Sequence, residues 1–196
     1  HQAVFTLCAF TALALVGTLH VHTLVALPLA IAAAGALGIL LERVAFRPLR
    51  GRSGSNVSGL ISSLAAATIL EAFALAVWGP GQLRFPFDAV PDRHLTVGGA
   101  VVSEVQAVII GISVAMMLAL TWLLRRSRLG REIRAVAESP LAARILGVDV
   151  DRVIAASFAI SSALGGAAGV LFGLAFNDVS ADMGRSVELK GLAVII

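Results

Sequence analysis

Residues 153–176 read VIAASFAISSALGGAAGVLFGLAF and contain no charged side chain. A helix that crosses the hydrocarbon core of a bilayer needs about 20 mostly apolar residues, so this stretch is long enough to span a membrane. Small residues recur in it at every fourth position, which predicts a narrow face where other helix backbones can approach closely. We interpret this face as a helix-packing surface made of Ser157, Ser161, Gly165, Gly169 and Gly173. The stretch therefore predicts one helix of an all-α transmembrane bundle.

Four more apolar stretches have lengths that suit a membrane span. They cover residues 3–19, 23–41, 60–77 and 106–124. The chain is 58% hydrophobic and only 14% charged, which leaves too few polar residues to cover a globule in water. We expect one transmembrane domain over residues 1–196, with five visible spans and the start of another in the final GLAVII. Both ends are expected to be cut from a longer protein.

Arginine is concentrated in two segments between the predicted spans. Residues 42–59 hold four and residues 125–152 hold seven of the 15 basic residues. The positive-inside rule therefore places both segments in the cytoplasm. The segment 78–105 then lies on the outer face, where LTVGGAVV predicts a small β-hairpin that turns at Gly98 and Gly99.

A charged stretch, RAVAESPLAARILGVDVDR at 134–152, precedes the last apolar run. The Ser-Pro pair at 139–140 is typical of a helix start and Gly147 of a helix end, which predicts a helix of two turns between them. So short a helix is not stable alone in water, and Leu141 and Ile145 share one of its faces. That face packs either on the chain's own membrane helices or, as we favour, in a groove of a partner protein.

Glu71 is the one acidic residue inside a predicted span. Placing a carboxylate in the bilayer centre costs about 2.5–3.5 kcal/mol on insertion scales, so Glu71 should face the bundle interior or a wet cavity, close to Thr68. Two roles are open for this pair of residues. They line a substrate path, or Glu71 makes a hydrogen bond between helices.

Several kinds of chemistry have no motif in this chain. The phosphate-binding pattern G-x-x-x-x-G-K-[ST] is missing, and Lys190 is the only lysine. No cluster of cysteine and histidine has the spacing of metal ligands, and no set of serine, histidine and aspartate suggests hydrolysis. We therefore predict no catalytic residue, no metal and no cofactor, and we do not expect an enzyme.

Two stretches resemble a known family. LERVAFRPLRG at 41–51 and RSRLGREIRAVAESPLAARILGVDVDRVIAASFAISSALGGAAGVLFG at 126–173 are similar to the LivH-like permeases of branched-chain amino acid ABC importers. The resemblance covers nearly the whole chain and implies that the short helix after Ser139 is a coupling helix for an ATPase. The residues it assigns to coupling are Glu138, Leu141, Ala142, Ala143, Arg144, Ile145 and Gly147.

The resemblance also implies a function. The chain is expected to be the permease subunit of an ATP-driven importer in the bacterial inner membrane, carrying branched-chain or related amino acids delivered by a soluble binding protein. The implied partners are ATP-binding ATPase subunits, a second homologous permease and that binding protein; ATP is bound by the ATPase, and no nucleic acid is involved. The alternative is an ATP-independent secondary transporter or channel that uses Glu71 as its ion or proton site.

Overall fold

Helices dominate the computed structural model, which describes residues 2–19, 23–49, 55–79, 81, 83, 94–97, 100–176, 179–180 and 183–184. The helices are α1 (Gln2–Leu19), α2 (Thr23–Leu41), α3 (Ser55–Trp78), α4 (Glu104–Arg126), α5 (Arg128–Glu138), α6 (Pro140–Ile145) and α7 (Val150–Phe176). α2 continues directly into a π-helical turn, Glu42–Phe46, and a 3-10 turn, Arg47–Leu49. The two strands are β1 (His94–Val97) and β2 (Ala100–Ser103).

Four of the helical segments are long and apolar enough to cross a membrane. They are Leu27–Phe46, Ile61–Trp78, Gln106–Arg126 and Val150–Phe176. α1 contains a shorter apolar stretch, Ala3–Ala14, among its described residues. The prediction of a helical membrane protein is thereby confirmed. The count of five spans stays a prediction, and the start of a sixth falls outside the described residues.

The two arginine-rich segments are less loop-like than the sequence analysis predicted. The expected loop 42–59 begins with the π-helical and 3-10 turns and ends within α3. The expected loop 125–152 is mostly helical, since it contains all of α5 and α6. α5 forms because Leu129, Ile133 and Val136 recur at helical spacing and give it one apolar face among the arginines.

α2 and α7 form the most extensive helix pair in the described chain. Small residues permit this close approach. A Cβ added to Gly38 of α2 would lie 2.6 Å from the Ser162 Cβ of α7, and a Cβ on Gly166 would overlap the side chain of Ala34. Because the later residue of α2 meets the earlier residue of α7, the two helices run antiparallel. The two backbones therefore approach closely at both of these contacts, one helical turn apart.

α1 packs on α7 through a second close contact. A Cβ on Gly169 would overlap the backbone carbonyl of Phe5, and the Phe5 ring lies edge-on to Phe172 with centroids 5.8 Å apart. The buried thiol of Cys8 donates a hydrogen bond to the Ala30 carbonyl of α2 over 3.1 Å. α1, α2 and α7 thus share one core.

The described part of the chain covers only some of the residues in the predicted packing face of α7. Gly169 and Gly173 are buried and Ser157 is half-buried, but Ser161 is exposed and a Cβ on Gly165 would meet no atom within 4 Å. A step of four residues turns an α-helix by about 400°, so a repeat of four drifts about 40° at each step and leaves the contact face. The face observed at the contact runs through Ser162, Gly166, Gly169 and Gly173 instead.

One end of the α1–α3 pair is covered by residues that follow α7. The Phe10 and Trp78 rings stack with centroids 5.2 Å apart. Val179 and Met183 are buried in the same apolar cluster. Val179 also pairs with Leu83 through two backbone hydrogen bonds of 2.9 Å. The stretch after α7 is therefore tied to the stretch after α3.

The strand pair lies in the segment between α3 and α4. β1 and β2 are antiparallel, and their register pairs His94 with Ser103 and Val97 with Ala100. The predicted turn at Gly98 and Gly99 lies outside the described residues. The position of this pair on the outer face of a membrane stays a prediction.

Candidate functional site

α5 is joined to the end of α4 by a tight turn. The Ser127 hydroxyl accepts a hydrogen bond from the Gly130 amide over 2.9 Å and so caps the first turn of α5. A Cβ on Gly130 would overlap the backbone carbonyls of Leu123 and Leu124, so the two helices meet through their backbones. Arg134 also donates to the Leu124 carbonyl. α5 is therefore fixed against the last turn of α4.

α6 begins and ends at strong local signals. The Ser139 hydroxyl accepts a hydrogen bond from the Ala142 amide over 3.2 Å, and Pro140 occupies the first turn. Gly147 adopts a φ of +83°, a left-handed conformation that favours glycine, and its amide donates to the Arg144 carbonyl over 3.0 Å. The chain then enters α7, where the Asp149 carboxylate accepts from the Arg152 amide over 3.1 Å.

One side of α6 faces the chain itself. Ala143 is 2% exposed and packs in a cluster with Val136 of α5 and with Val150 and Val153 of α7. The Ala143 methyl group is therefore covered within this chain, and its role in ATPase coupling stays a prediction. Ala143 attaches α6 to the two neighbouring helices.

The opposite side of α6 is an uncovered apolar surface. Leu141, Ile145 and Leu146 are 72%, 79% and 81% exposed. Ala142 is also exposed between them. Large apolar side chains left in contact with water or lipid headgroups usually mark a site of interaction. We call these four residues the α6 apolar surface.

Charged residues flank the α6 apolar surface. Glu138 is exposed at the end of α5. A guanidinium nitrogen of Arg144 lies 3.9 Å from a carboxylate oxygen of Asp151, with both side chains substantially exposed. Such an exposed ion pair contributes about 0–1 kcal/mol to stability, so its main effect is to orient Arg144. The charges are thus placed around an apolar centre, as at the rim of an interface.

Glu71 and Thr68 lie on the side of α3 next to its contact with α1. Leu70 and Ala74 face α1, whereas Glu71 is half-buried and Thr68 is exposed. Their spacing of three residues places the two side chains on neighbouring positions of the helix surface. The Thr68 hydroxyl donates to the Leu64 carbonyl over 2.9 Å. Neither residue lines the cleft of about 220 Å³ between α1, α2 and α3.

The structure places a second acidic residue, Glu42, within a candidate membrane span. Glu42 is 1% exposed, and the candidate span Leu27–Phe46 includes it. Its carbonyl accepts the Arg47 amide in the π-helical turn, and the residue takes part in a further interaction of the fold. Glu42 followed an apolar run and preceded several arginines, so the sequence placed it at the start of a loop. The apolar residues VAF at 44–46 could have indicated that the apolar helix continues beyond Glu42.

The π-helical turn packs against both α3 and α7. The Ser62 hydroxyl of α3 donates to the Ala45 carbonyl over 2.9 Å. The Phe46 ring lies 5.0 Å, centroid to centroid, from the Phe158 ring of α7. Single π-helical turns are rare and occur frequently at functional sites. Glu42 is therefore held at the point where α2, α3 and α7 meet.

Comparison with known proteins gives consistent matches. A family model described as "Branched-chain amino acid transport system / permease component" matches residues 1–196. The permease protein LivH of a high-affinity branched-chain amino acid transport system from Escherichia coli (strain K12) is 33% identical over 172 residues, covering 85% of this chain and 54% of that protein. No solved structure gives a significant match.

Two further relatives match this chain over different lengths. The corresponding permease BraD from Pseudomonas aeruginosa is 30% identical over 194 residues, covering 96% of this chain and 62% of its own length. The autoinducer 2 import system permease LsrC from Klebsiella pneumoniae is 35% identical over 82 residues, or 42% of this chain. The chain thus spans roughly half to three fifths of the length of the two branched-chain relatives, LivH and BraD.

Proposed function

Because the chain belongs to the family of branched-chain amino acid transport system permease components, we propose that it forms part of the membrane-spanning subunit of an ATP-driven importer. The substrate class we assign is branched-chain or related amino acids, as the names of its relatives LivH and BraD suggest. The observation that carries the proposal is the α6 apolar surface. This surface is exposed and so accessible to a partner, and the packing of Ala143 attaches α6 to α5 and α7.

The partners follow from this assignment. ATPase subunits bind and hydrolyse ATP, a second homologous permease completes the pathway, and a soluble protein delivers the amino acid from outside. We place the protein in the bacterial inner membrane with segments 42–59 and 125–152 in the cytoplasm, supported by their arginine content. The strand pair β1–β2 then lies on the outer face.

α6 is attached to α5 and α7, so a movement of α6 can be transmitted to the rest of the helical bundle. Leu141 and Ile145 insert into a groove of the ATPase, and Glu138 and Arg144 lie at its rim, where charges fix orientation more than affinity. When ATP binding moves that groove, α6 moves with it. Because Ala143 packs on Val153, the displacement passes into α7 and through α7 to the core of the bundle.

Two substitutions on the α6 apolar surface test the proposal. Leu141→Asp removes an anchor and Ala142→Arg adds bulk and charge, so each should weaken ATPase binding by about tenfold or more. The full-length permease, co-expressed with its ATPase and binding protein, is assayed for ATPase co-purification and for substrate-stimulated ATP hydrolysis in proteoliposomes. Amount and monodispersity of the permease should stay at the wild-type level, because both side chains are exposed.

The matched control is Ala137→Arg, which makes the same chemical change at an exposed alanine of α5. It should leave ATPase binding and stimulation within about twofold of wild type. If Leu141→Asp and Ala142→Arg both retain normal binding and stimulation, α6 does not couple the subunits. Uptake that continues without ATP would instead support a secondary transporter.

We further propose that Glu71 and Thr68 face the substrate path, supported by a half-buried acid beside an exposed hydroxyl in an apolar helix. Glu71→Gln keeps the volume and removes the charge, so it should change the apparent affinity for the amino acid by about tenfold while the amount of folded permease stays normal. Labelled amino acid uptake measures this effect. Thr68→Val, which keeps the shape of the side chain, should change the apparent affinity for the amino acid less than Glu71→Gln does. Unchanged uptake in both variants would remove the two residues from the path.

A further inference from the structure

Five arginines are gathered where α4 ends and α5 begins. Arg125 and Arg126 close α4, and α5 contributes the other three; the whole set, which we call the arginine cluster, is Arg125, Arg126, Arg128, Arg131 and Arg134. All five side chains are exposed, and none forms an ion pair with another residue in the described part of the chain. Residues 125–138 contain only two acids, Glu132 and Glu138. The positive charge of the cluster is therefore largely uncompensated.

The arginine cluster lies at the edge of the hydrocarbon region. α4 is apolar and long enough to cross the bilayer up to its last turn, where the arginines begin. Gly130 places the backbone of α5 against the carbonyls of Leu123 and Leu124, so the first turns of α5 stay close to that edge. Lipid phosphates lie at the same depth, and basic residues just beyond a span attract anionic lipids.

An apolar cleft of about 490 Å³ runs between α4 and α7. Its α4 wall extends from Ile109 to Leu120, and its α7 wall includes Leu164, Ala168 and Phe172. The eleven helical steps from Ile109 to Leu120 correspond to about 16 Å, close to half of the roughly 30 Å hydrocarbon core. Leu120 is five residues, or about 7–8 Å along the helix axis, from Arg125. An acyl chain can therefore reach the cleft from a headgroup at the arginines.

We propose that the arginine cluster and the α4–α7 cleft together bind an anionic phospholipid. The guanidinium groups of Arg125, Arg126 and Arg131 hold the phosphate, since guanidinium forms paired hydrogen bonds to phosphate oxygens. One acyl chain lies in the cleft against Leu120 and Ala168. We choose a lipid over a protein because apolar side chains line most of the cleft and the exposed arginine cluster lies near one end of it. The proposal is independent of the amino acid that the permease carries.

The test compares lipid binding to the full-length permease. Purified protein in mild detergent is titrated with dioleoyl phosphatidylglycerol or dioleoyl phosphatidylcholine, and bound lipid is counted by native mass spectrometry. Wild type should bind the anionic lipid at least tenfold more tightly than the zwitterionic one. Arg125→Gln combined with Arg126→Gln and Arg131→Gln should reduce this preference to about twofold or less.

A matched control removes the same charge elsewhere. Arg43→Gln, Arg47→Gln and Arg152→Gln change three other exposed arginines, and the lipid preference should stay as in wild type. An equal loss in this control would mean that total charge, not the cluster, attracts the lipid, which would overturn the proposal. The proposal also fails if the cluster variant keeps its lipid preference but no longer co-purifies with the ATPase, because the cluster is then a protein contact.

The cleft is tested with Ala168→Leu, which fills it from an exposed position without adding charge. Binding of phosphatidylglycerol should fall about fivefold or more, since the acyl chain loses its place. Inorganic phosphate, the probe for the headgroup alone, should displace bound lipid poorly at concentrations up to several millimolar. Complete displacement by phosphate, together with an unchanged affinity in Ala168→Leu, would reduce the site to a simple anion site and refute the lipid assignment.

Discussion

Gly169→Val is expected to abolish the accumulation of folded permease, whereas Gly165→Val, one turn earlier on α7, should leave it near the wild-type level. Any side chain at Gly169 overlaps the backbone carbonyl of Phe5, and a backbone atom can move only if α1 moves. Overpacking of this kind costs about 1–3 kcal/mol and more where the obstacle is backbone. The same Cβ at Gly165 meets no atom within 4 Å.

The comparison of Gly169→Val with Gly165→Val isolates the effect of helix packing. Both substitutions replace glycine with the same β-branched residue in the same membrane helix, so the change in helix propensity and hydrophobicity is shared. The measurement is fluorescence-detected size-exclusion chromatography of the full-length protein, read as the height and shape of the folded peak. An equal loss of the folded peak in both variants would instead support the packing face with a repeat of four residues that the sequence predicted. A normal peak for Gly169→Val would refute the close contact of α1 with α7.

The sequence could predict features that depend on local chemistry. Long apolar runs marked the membrane helices, because a bilayer imposes a minimum length on every span. The start and end of α6 were also predictable, since Ser139 and Gly147 satisfy backbone groups within their own turn. The resemblance of 126–173 to a permease family was borne out by the family match over residues 1–196.

Features that depend on tertiary contacts were not predictable in the same way. The repeat of small residues on α7 did not reveal which glycines meet another backbone, because the face depends on where α1 and α2 cross it. The family resemblance assigned Ala143 to ATPase coupling together with its neighbours Leu141 and Ile145. Only the packing of α5 and α7 shows that its methyl group points inward, while Leu141 and Ile145 stay outside.

The two intramembrane acids show how this limit affects functional assignments. Glu71 was conspicuous because apolar residues surround it in the sequence. Glu42 was not, because arginines follow it and the π-helical turn that buries it is not encoded by any simple pattern. The structure reverses their order of burial, since Glu71 is half-buried and Glu42 is 1% exposed. Isolation in sequence is therefore a poor guide to burial in the fold.

Glu42→Leu should consequently reduce folded permease far more than Glu71→Leu, although the sequence alone would suggest the opposite. Glu42 is 1% exposed and takes part in an interaction of the fold, so Glu42→Leu removes a buried polar contact, and such a loss costs about 1–3 kcal/mol. Glu71 loses no such contact with the described residues of the chain, and leucine suits an apolar helix. Glu42→Gln, which keeps hydrogen-bonding oxygen and volume, should fall between Glu42→Leu and wild type.

The readout is the folded peak and the midpoint of thermal unfolding in detergent for the three variants beside wild type. A structural role for Glu42 predicts the order wild type, Glu42→Gln, Glu42→Leu in falling stability, with Glu71→Leu close to wild type. Uptake then separates the two acids a second time. Glu71 variants should stay folded but show an altered apparent affinity for the amino acid, whereas Glu42 variants should lose transport in proportion to folded protein. A stable Glu42→Leu permease that fails to transport would contradict this division, because Glu42 would then belong to the transport cycle itself and the π-helical turn would be a moving part.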